Sequence, residues 1–571
     1  MVSYEPEKRS VSETDSATGS GSLSPSNTNL TETRSTISQH ESDLDLENGL
    51  QQNSLHDLDH DLSRTATSIR TTGTTDPGFE IDWDGEDDKL NPRNWPRWYR
   101  GTVIALVSFS TWVVVLYSTS YVSGMHGMME DFDIESESIV TLGITTYLFG
   151  LAIGSVVLAP LSEIYGRRPI YLISMSIFML LVLPCALARS LAEVLVVRFI
   201  GALAGSAMIA NAPGTVADIA TEEYRALAFS MWSIGPMNGP ISGPVIGGFA
   251  AQYLGWRWTN WLVFILAGVA VAAVALIRET YAPAILRKRA KRQRKKTGDD
   301  RWWTRYDQRL RIWPLLKVNL SRPFVLIVTE PICMFWDLYV GVVYATLYLC
   351  FVAYPIVFYE ARGWGLGISG LSFVGIGVGT LMGILAEPLI RRMINAHKPD
   401  PDTGKPPPEA MVSVVCIASI LIPVGQLWFA WTCVPVSIHW VWPIFAGIPF
   451  GAGNVLVFIY ASNYLAGSYG IYAASALAGN TVVRSIAGGV LPIAGPAMYK
   501  SLNPNWAGTL IGLIELVLIP IPFIFYKYGH KIRMKSALIR SMQEDKERLA
   551  GKRERAERHR REEKSDETGV T

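Results

Sequence analysis

Residues 235–248 read GPMNGPISGPVIGG. Gly235, Gly239, Gly243 and Gly247 recur every four residues, and Pro236, Pro240 and Pro244 follow the first three. Positions four apart on an α-helix share one face. The glycines, with Gly248 beside the last, therefore leave a groove bare of side chains. A second helix can approach it backbone to backbone, the small-xxx-small contact that holds helices together in lipid. Each proline removes a backbone donor, and inside a bilayer the carbonyl it frees needs a partner from a neighbour. A lone GxxxG is most simply a static packing seam. Four glycines interleaved with three prolines in an apolar span are a more specific pattern.

The surrounding chain is consistent with such a setting. It has 571 residues, 49% hydrophobic and 18% charged, with 18 Trp and a net charge of +1. That balance gives no bias toward nucleic acid. The charges gather in the tails and one central block, and the stretches between them are apolar. About 20 apolar residues cross a bilayer as a helix. Twelve spans are predicted, near 102–123, 139–160, 170–188, 193–216, 226–250, 259–277, 331–355, 368–390, 411–433, 440–460, 473–497 and 507–526. The expected fold is all-α and integral to the membrane, with twelve transmembrane helices in two pseudo-symmetric six-helix bundles.

The expected organisation has a disordered N-terminal tail over 1–98, bundles over 99–277 and 323–526, a basic loop over 278–322 and a charged C-terminal tail over 527–571. The tail is too polar to bury surface that would offset its ordering entropy. At its end, Trp83, Trp95 and Trp98 suggest a segment lying on the membrane surface. Cys185, Cys333, Cys350, Cys416 and Cys433 sit in or beside apolar spans with no metal-ligand spacing, so neither a disulfide framework nor a metal site is expected. No cleavable signal peptide is expected before the first span.

The loop charges give an orientation. With both tails on one side, the loops there carry 22 Lys and Arg, 15 of them in residues 278–322, against four in the opposite loops. The positive-inside rule then makes both tails and the central block cytoplasmic.

Several stretches resemble one family. VLAPLSEIYGRRP (157–169) ends the second span, and ILAEPLIRRM (384–393) ends the eighth, each placing an acid before a pair of arginines. The first resembles the loop signature of the major facilitator superfamily, in its fungal drug:proton antiporter version. Residues 235–248 resemble that branch's fifth-span antiporter motif, and VVRFIGALAGSAMIANAPG (196–214) its fourth-span motif. SYGIYAASALAGNTVVRS (468–485) resembles the eleventh-span region of fungal exporters. The resemblance implies that Glu163, Gly166, Arg167 and Arg168 form a charge latch, which Asp218 joins and Glu387 mirrors in the second half. It also links Arg198 to proton coupling. Without the resemblance, Arg167 and Arg168 read as positive-inside anchors, and Arg198 as an anchoring arginine near the cytoplasmic end of its span.

Charges inside a bilayer are expensive and by default functional. Beside Arg198 these are Asp337, Arg484 and Glu515, the last without an assigned role. Asp337, Gly341, Tyr344 and Tyr348 share one helical face. An acid followed by aromatics suits cationic amphiphiles, although tyrosines at this spacing more commonly pack in a core. Asn238, Asn454 and Tyr460 complete the cavity candidates, and Asn480 and Arg484 add polarity to the eleventh span.

The expected activity is proton-coupled export of small amphiphilic compounds (drugs, toxins or a secondary metabolite) by alternating access. The alternatives are a polyamine or other metabolite transporter, a uniporter or symporter working in uptake, and a transporter-like sensor. An enzyme would need a cofactor fingerprint or nucleophile constellation, and none is present. No phosphate-binding GxxxxGK[ST] occurs, so the proton gradient is the expected energy source and no cofactor is expected. Lipid, protons and a small molecule are the expected partners of a monomer in the plasma membrane, with the vacuolar membrane as alternative.

Overall fold

A computed structural model of the chain describes residues 79–85, 87–221, 224–307, 312–399 and 406–542. Residues 1–78 and 543–571, which hold most of both predicted tails, lie outside it. Ten helical segments among the described residues are long and apolar enough to cross a membrane. Two observations bring the predicted twelve and these ten together. The fifth helix, Arg225–Leu254, has 30 residues, but its glycines and prolines dilute its hydropathy. The last segment, Ala473–Lys535, counts once although it breaks at Asn503, where φ is 60° and ψ is 150°.

In chain order the spans are Arg97–Ser120, Glu137–Tyr165, Arg167–Leu187, Leu191–Ile219, Arg225–Leu254, Arg257–Leu276, Pro331–Pro355, Leu366–Leu385, Glu409–Thr432, Val441–Tyr469 and the two arms of Ala473–Lys535. Leu276, Leu385 and Val517 are each about three-quarters exposed on the outside of the bundle. An apolar exterior of this kind suits lipid rather than water. The protein is an all-α integral membrane protein.

The first span packs on the fifth, the second on the fourth, the seventh on the eleventh and the ninth on the tenth. The most extensive contacts between the halves are those of the second span with the eleventh and of the fifth with the eighth.

The glycine groove lies against the first span. A Cβ on Gly235 would run into Ser108 O, and one on Gly239 would fall 3.2 Å from Leu116 N. On Gly247 it would fall 2.9 Å from Ser120 O, and on Gly243 it would run into Thr119 Oγ1. The first span also supplies the partners that two of the prolines require. Pro236 frees Trp232 O, which accepts from Ser108 Oγ at 2.8 Å, and Pro244 frees Pro240 O, which accepts from Thr119 Oγ1 at 2.7 Å. Gly248 points away from this seam, to within 2.6 Å of Leu366 O in the second half.

Two boundaries differ from expectation. Residues 79–85 and 87–95, expected within a disordered tail, instead include a stretch that packs on the central block. Glu80 bridges Trp303, Phe79 meets Trp302 edge-on at 5.3 Å, and Arg289 pairs with Asp84 and Asp88. The acids there find basic partners on the helix Ala282–Thr297, which offsets the entropy of ordering them. Trp95 is buried in the core and Trp98 is exposed. At the other terminus, the helix Pro520–Lys535 continues past residue 526, because Arg533 pairs with Glu409 at 2.8 Å.

Candidate functional site

A cavity lies between the halves. The first, second, fourth and fifth spans line one side (Val115, Leu151, Ile209, Pro236, Pro240), and the seventh, eighth, tenth and eleventh line the other. Polarity enters through Ser155, Tyr344, Thr380, Asn454, Thr481, Ser485 and Arg484. Pro236 and Pro240 therefore form part of a cavity wall, while the glycines on the same helix make the seam behind it.

Arg484 is 8% exposed, with its guanidinium 5.2 Å from the Tyr344 ring and 4.5 Å from the Phe458 ring. Its Nε has no hydrogen-bond partner, and no carboxylate lies within ion-pair distance among the described residues.

Asp337 stands apart from the cavity. It is 2% exposed, accepts from Asn480 Nδ2 at 2.8 Å through Oδ1, and has no donor at Oδ2. The shared helical face expected of Asp337, Tyr344 and Tyr348 holds only in part, because this face packs on the eleventh span. Tyr344 lines the cavity. Tyr348 is fully buried and exchanges a hydrogen bond with Ser118 at 3.0 Å across the halves. Asn454 lines the cavity, its amide donating to Phe450 O at 2.9 Å, whereas Asn238 and Tyr460 do not. Asn238 donates to Ile234 O at 3.0 Å on its own helix, and Tyr460 lies more than a turn beyond Asn454.

Arg198 is 1% exposed and joins three spans. Nε donates to Gly143 O at 3.1 Å, and Nη2 donates to Tyr117 O at 3.1 Å and Ser118 O at 3.4 Å. The rings of Tyr117, Tyr121 and Tyr147 surround it at 4.4, 4.4 and 4.9 Å. An arginine that anchors a span end reaches for water, and this one is buried away from it. Arg198 is near the start of Leu191–Ile219 and Asp218 near its end, about 30 Å apart at 1.5 Å per residue. A chain of contacts runs from Arg198 through Ser118 to Tyr348, then to the Tyr344 hydroxyl at 3.4 Å and on to Arg484. It links the two buried arginines across the halves.

At the Arg167 end, Gly166 turns the chain at φ 99°. Arg167 Nε meets Asp218 at 3.5 Å, and its Nη1 donates to Ser162 Oγ at 2.5 Å. Glu279 caps the third span, accepting from the backbone N–H of Arg167 at 3.0 Å and of Arg168 at 3.1 Å. Of the expected latch, Gly166, Arg167 and Asp218 thus come together. The Glu163 side chain makes no hydrogen bond but shares the electrostatic field of Arg167 and Asp218, while its carbonyl accepts from Arg287 at 3.0 Å and Arg168 turns to Ala275 O at 3.0 Å. Glu387 pairs with Arg391 on its own helix at 2.6 Å rather than bridging spans. Glu279 was not singled out in the sequence. Its position as the first acid in a block of 15 cations was the available signal.

At the Glu137 end the halves close on each other. Lys500 pairs with Glu137 at 2.5 Å, Gln252 accepts from Gly367 N–H at 2.8 Å, and Thr145 donates to Gly489 O at 2.7 Å. A second cavity, lined by His126, Glu137 and Glu360 among others, lies in this closed region. Ion pairs at the Arg167 end, such as Arg167–Asp218 and Glu409–Arg533, each stay within one half. Glu515, 4% exposed on the last span, has no hydrogen-bond donor at either oxygen.

Comparison with known proteins agrees with this architecture. The chain is 39% identical to "Efflux pump FUB11" of Gibberella moniliformis over 81% of its length and 78% of that protein's. It is 38% identical to "Citrinin biosynthesis cluster MFS transporter mrr1" of Monascus ruber, over 80% and 91% of the two chains. Among solved structures, the partially occluded inward open form of the xylose transporter XylE from E. coli superposes with a TM-score of 0.54. It covers 75% of this chain and 98% of that one, at 15% identity. The family model described as Major Facilitator Superfamily matches residues 105–492, and on that match and these relatives the chain belongs to the Major Facilitator Superfamily.

Proposed function

We propose that this transporter exports small amphiphilic organic compounds (drugs, toxins or a secondary metabolite) in exchange for protons, by alternating access. The observation that carries the reading is the cavity shared by both halves and shut at the Glu137 end. A site held between two bundles changes its exposure when one rocks against the other. The names of the relatives, an efflux pump and a biosynthesis-cluster transporter, support export over uptake.

The loop charges support a cytoplasmic Arg167 end, with both tails and the central block on that side. In that orientation the conformation described here faces inward with its outer entrance shut. The plasma membrane is the proposed location and a monomer the working unit. No cofactor enters the scheme.

In this reading Arg167, Asp218, Gly166 and Glu279 form the cytoplasmic latch. Arg198 holds the first, second and fourth spans as one body, and Ser118 and Tyr348 carry its position to the Arg484 side. Asp337, with one oxygen free, is the proton site.

The test uses everted vesicles with an imposed proton gradient and a fluorescent amphiphile. Accumulation that follows the gradient and is lost in Arg198→Ala supports the scheme. Gradient-independent equilibration by both proteins would replace it with facilitated diffusion.

A further inference from the structure

Arg484 is the one charged side chain among the described residues that line the central cavity. The walls around it are otherwise apolar or carry neutral hydroxyl and amide groups. Burying a cation without a counter-ion is costly, and the usual remedy is a carboxylate on a neighbouring helix. That remedy is missing here. Asp337 is aimed at Asn480, one helical turn before Arg484, and does not line the cavity. Two aromatic faces hold the guanidinium instead, and its Nε is unpartnered.

Resting on the export reading above, we infer that the central cavity is a site for anionic amphiphiles, with Arg484 as the group that binds their acidic head. A guanidinium presents a planar fork of donors that matches a carboxylate or sulfonate in two-point contact. Tyr344 and Phe458 flank that fork, and Val340 and Val343 beside them offer an apolar wall to a flat ring. The cationic preference expected from Asp337 reverses, because that carboxylate is bonded to Asn480 at a helix interface and offers no contact to a ligand in the cavity. A cationic ligand in the same place meets Arg484 as a like charge.

Three probes of one shape separate the charges: naphthalenesulfonate, naphthalenesulfonamide and naphthylmethyl-trimethylammonium. Binding to the purified full-length protein is measured by calorimetry, and transport in everted vesicles with a proton gradient. Wild type is expected to bind the sulfonate on the order of tenfold or more tighter than the sulfonamide, the scale of a charge-assisted hydrogen-bonded pair. The ammonium is expected to bind weakest. Arg484→Gln removes the sulfonate advantage and leaves sulfonamide binding within about twofold, and Arg484→Lys restores part of the advantage. Thermal unfolding of each variant in detergent checks that it is folded, and if Arg484→Gln is not, the wild-type order and Arg484→Lys decide.

Equal or tighter binding of the ammonium by wild type overturns the inference, as does an Arg484→Gln that weakens all three probes alike. If the sulfonate binds through Arg484 but no gradient moves it in either vesicle orientation, the export reading fails and the ligand class stands. If the gradient drives the ammonium and Arg484→Gln leaves that unchanged, export stands and the ligand class fails.

Discussion

Ser118 and Tyr348 exchange a hydrogen bond of 3.0 Å between the first and seventh spans, with both side chains fully buried. Ser118 also offers its carbonyl to Arg198, and the Tyr348 hydroxyl meets that of Tyr344. The pair is the narrowest point of the chain of contacts joining the two arginines. Ser118→Ala and Tyr348→Phe are each expected to slow gradient-driven transport several-fold. The double variant is expected to be no slower than the slower single, because contacting residues are not additive. Initial rates for the four proteins give the coupling, and additive losses would show that the pair is not a unit.

The glycine seam gives an order of tolerance. Alanine at Gly243 collides with Thr119 Oγ1 and at Gly235 with Ser108 O, whereas at Gly239 the tightest contacts are 3.0–3.2 Å. Gly243→Ala and Gly235→Ala are expected to lower thermal stability in detergent by the ~1–3 kcal/mol typical of overpacking. Gly239→Ala is expected to lose less. Unfolding temperatures of the three variants measure this, and equal losses would contradict the packing described.

Glu137 and Lys500 close the outer end as a partly exposed pair, with side-chain exposures of 20% and 54%. Pairs of this kind contribute roughly 0–1 kcal/mol, enough to shift a balanced conformational equilibrium by a few-fold. Glu137→Lys is expected to raise the labelling rate of a cysteine placed at Ser123, which lines the second cavity. Lys500→Glu added to it is expected to bring the rate back. The five native cysteines are all buried, which keeps the background low.

The docked segment 79–95 has a pH dependence with a definite sign. Burial acts to raise the Asp88 carboxyl, but the backbone N–H groups of Asp84 and Leu90 and the Arg289 guanidinium outweigh it and hold the group below its ordinary 3.8. A depressed carboxyl stabilises the docked form at every pH above the ordinary value, and loses that contribution only as pH falls through the lowered one. Protease accessibility of this segment is therefore expected to be flat from about pH 8 to 5 and to rise below about 4. Asp88→Asn is expected to raise it throughout.

The fold was legible in the sequence because long apolar stretches and their loop charges depend on composition alone. The glycine–proline run also predicted close helix packing correctly, since a groove bare of side chains is a local property. Its partners Ser108 and Thr119 were not legible, because an isolated hydroxyl 120 residues away carries no mark of the carbonyl it will satisfy. The same limit applied to the cavity. Helical spacing puts Asp337 and Tyr344 on one face, but which part of that face meets the eleventh span and which the cavity is decided by tertiary packing. Residues 79–98 looked disordered because their acids balance charges some 200 residues further on.

The central claim is that the two halves must separate at the Glu137 end for substrate to leave. Gln252 and Gly365 face each other across that end, with the Gln252 side chain within 2.8 Å of where a Cβ on Gly365 would stand. With Gln252→Cys and Gly365→Cys joined through disulfides by a short bis-methanethiosulfonate, gradient-driven transport into everted vesicles is expected to stop while substrate still binds, and to return on reduction. Full transport with the cross-link in place would contradict alternating access through this interface.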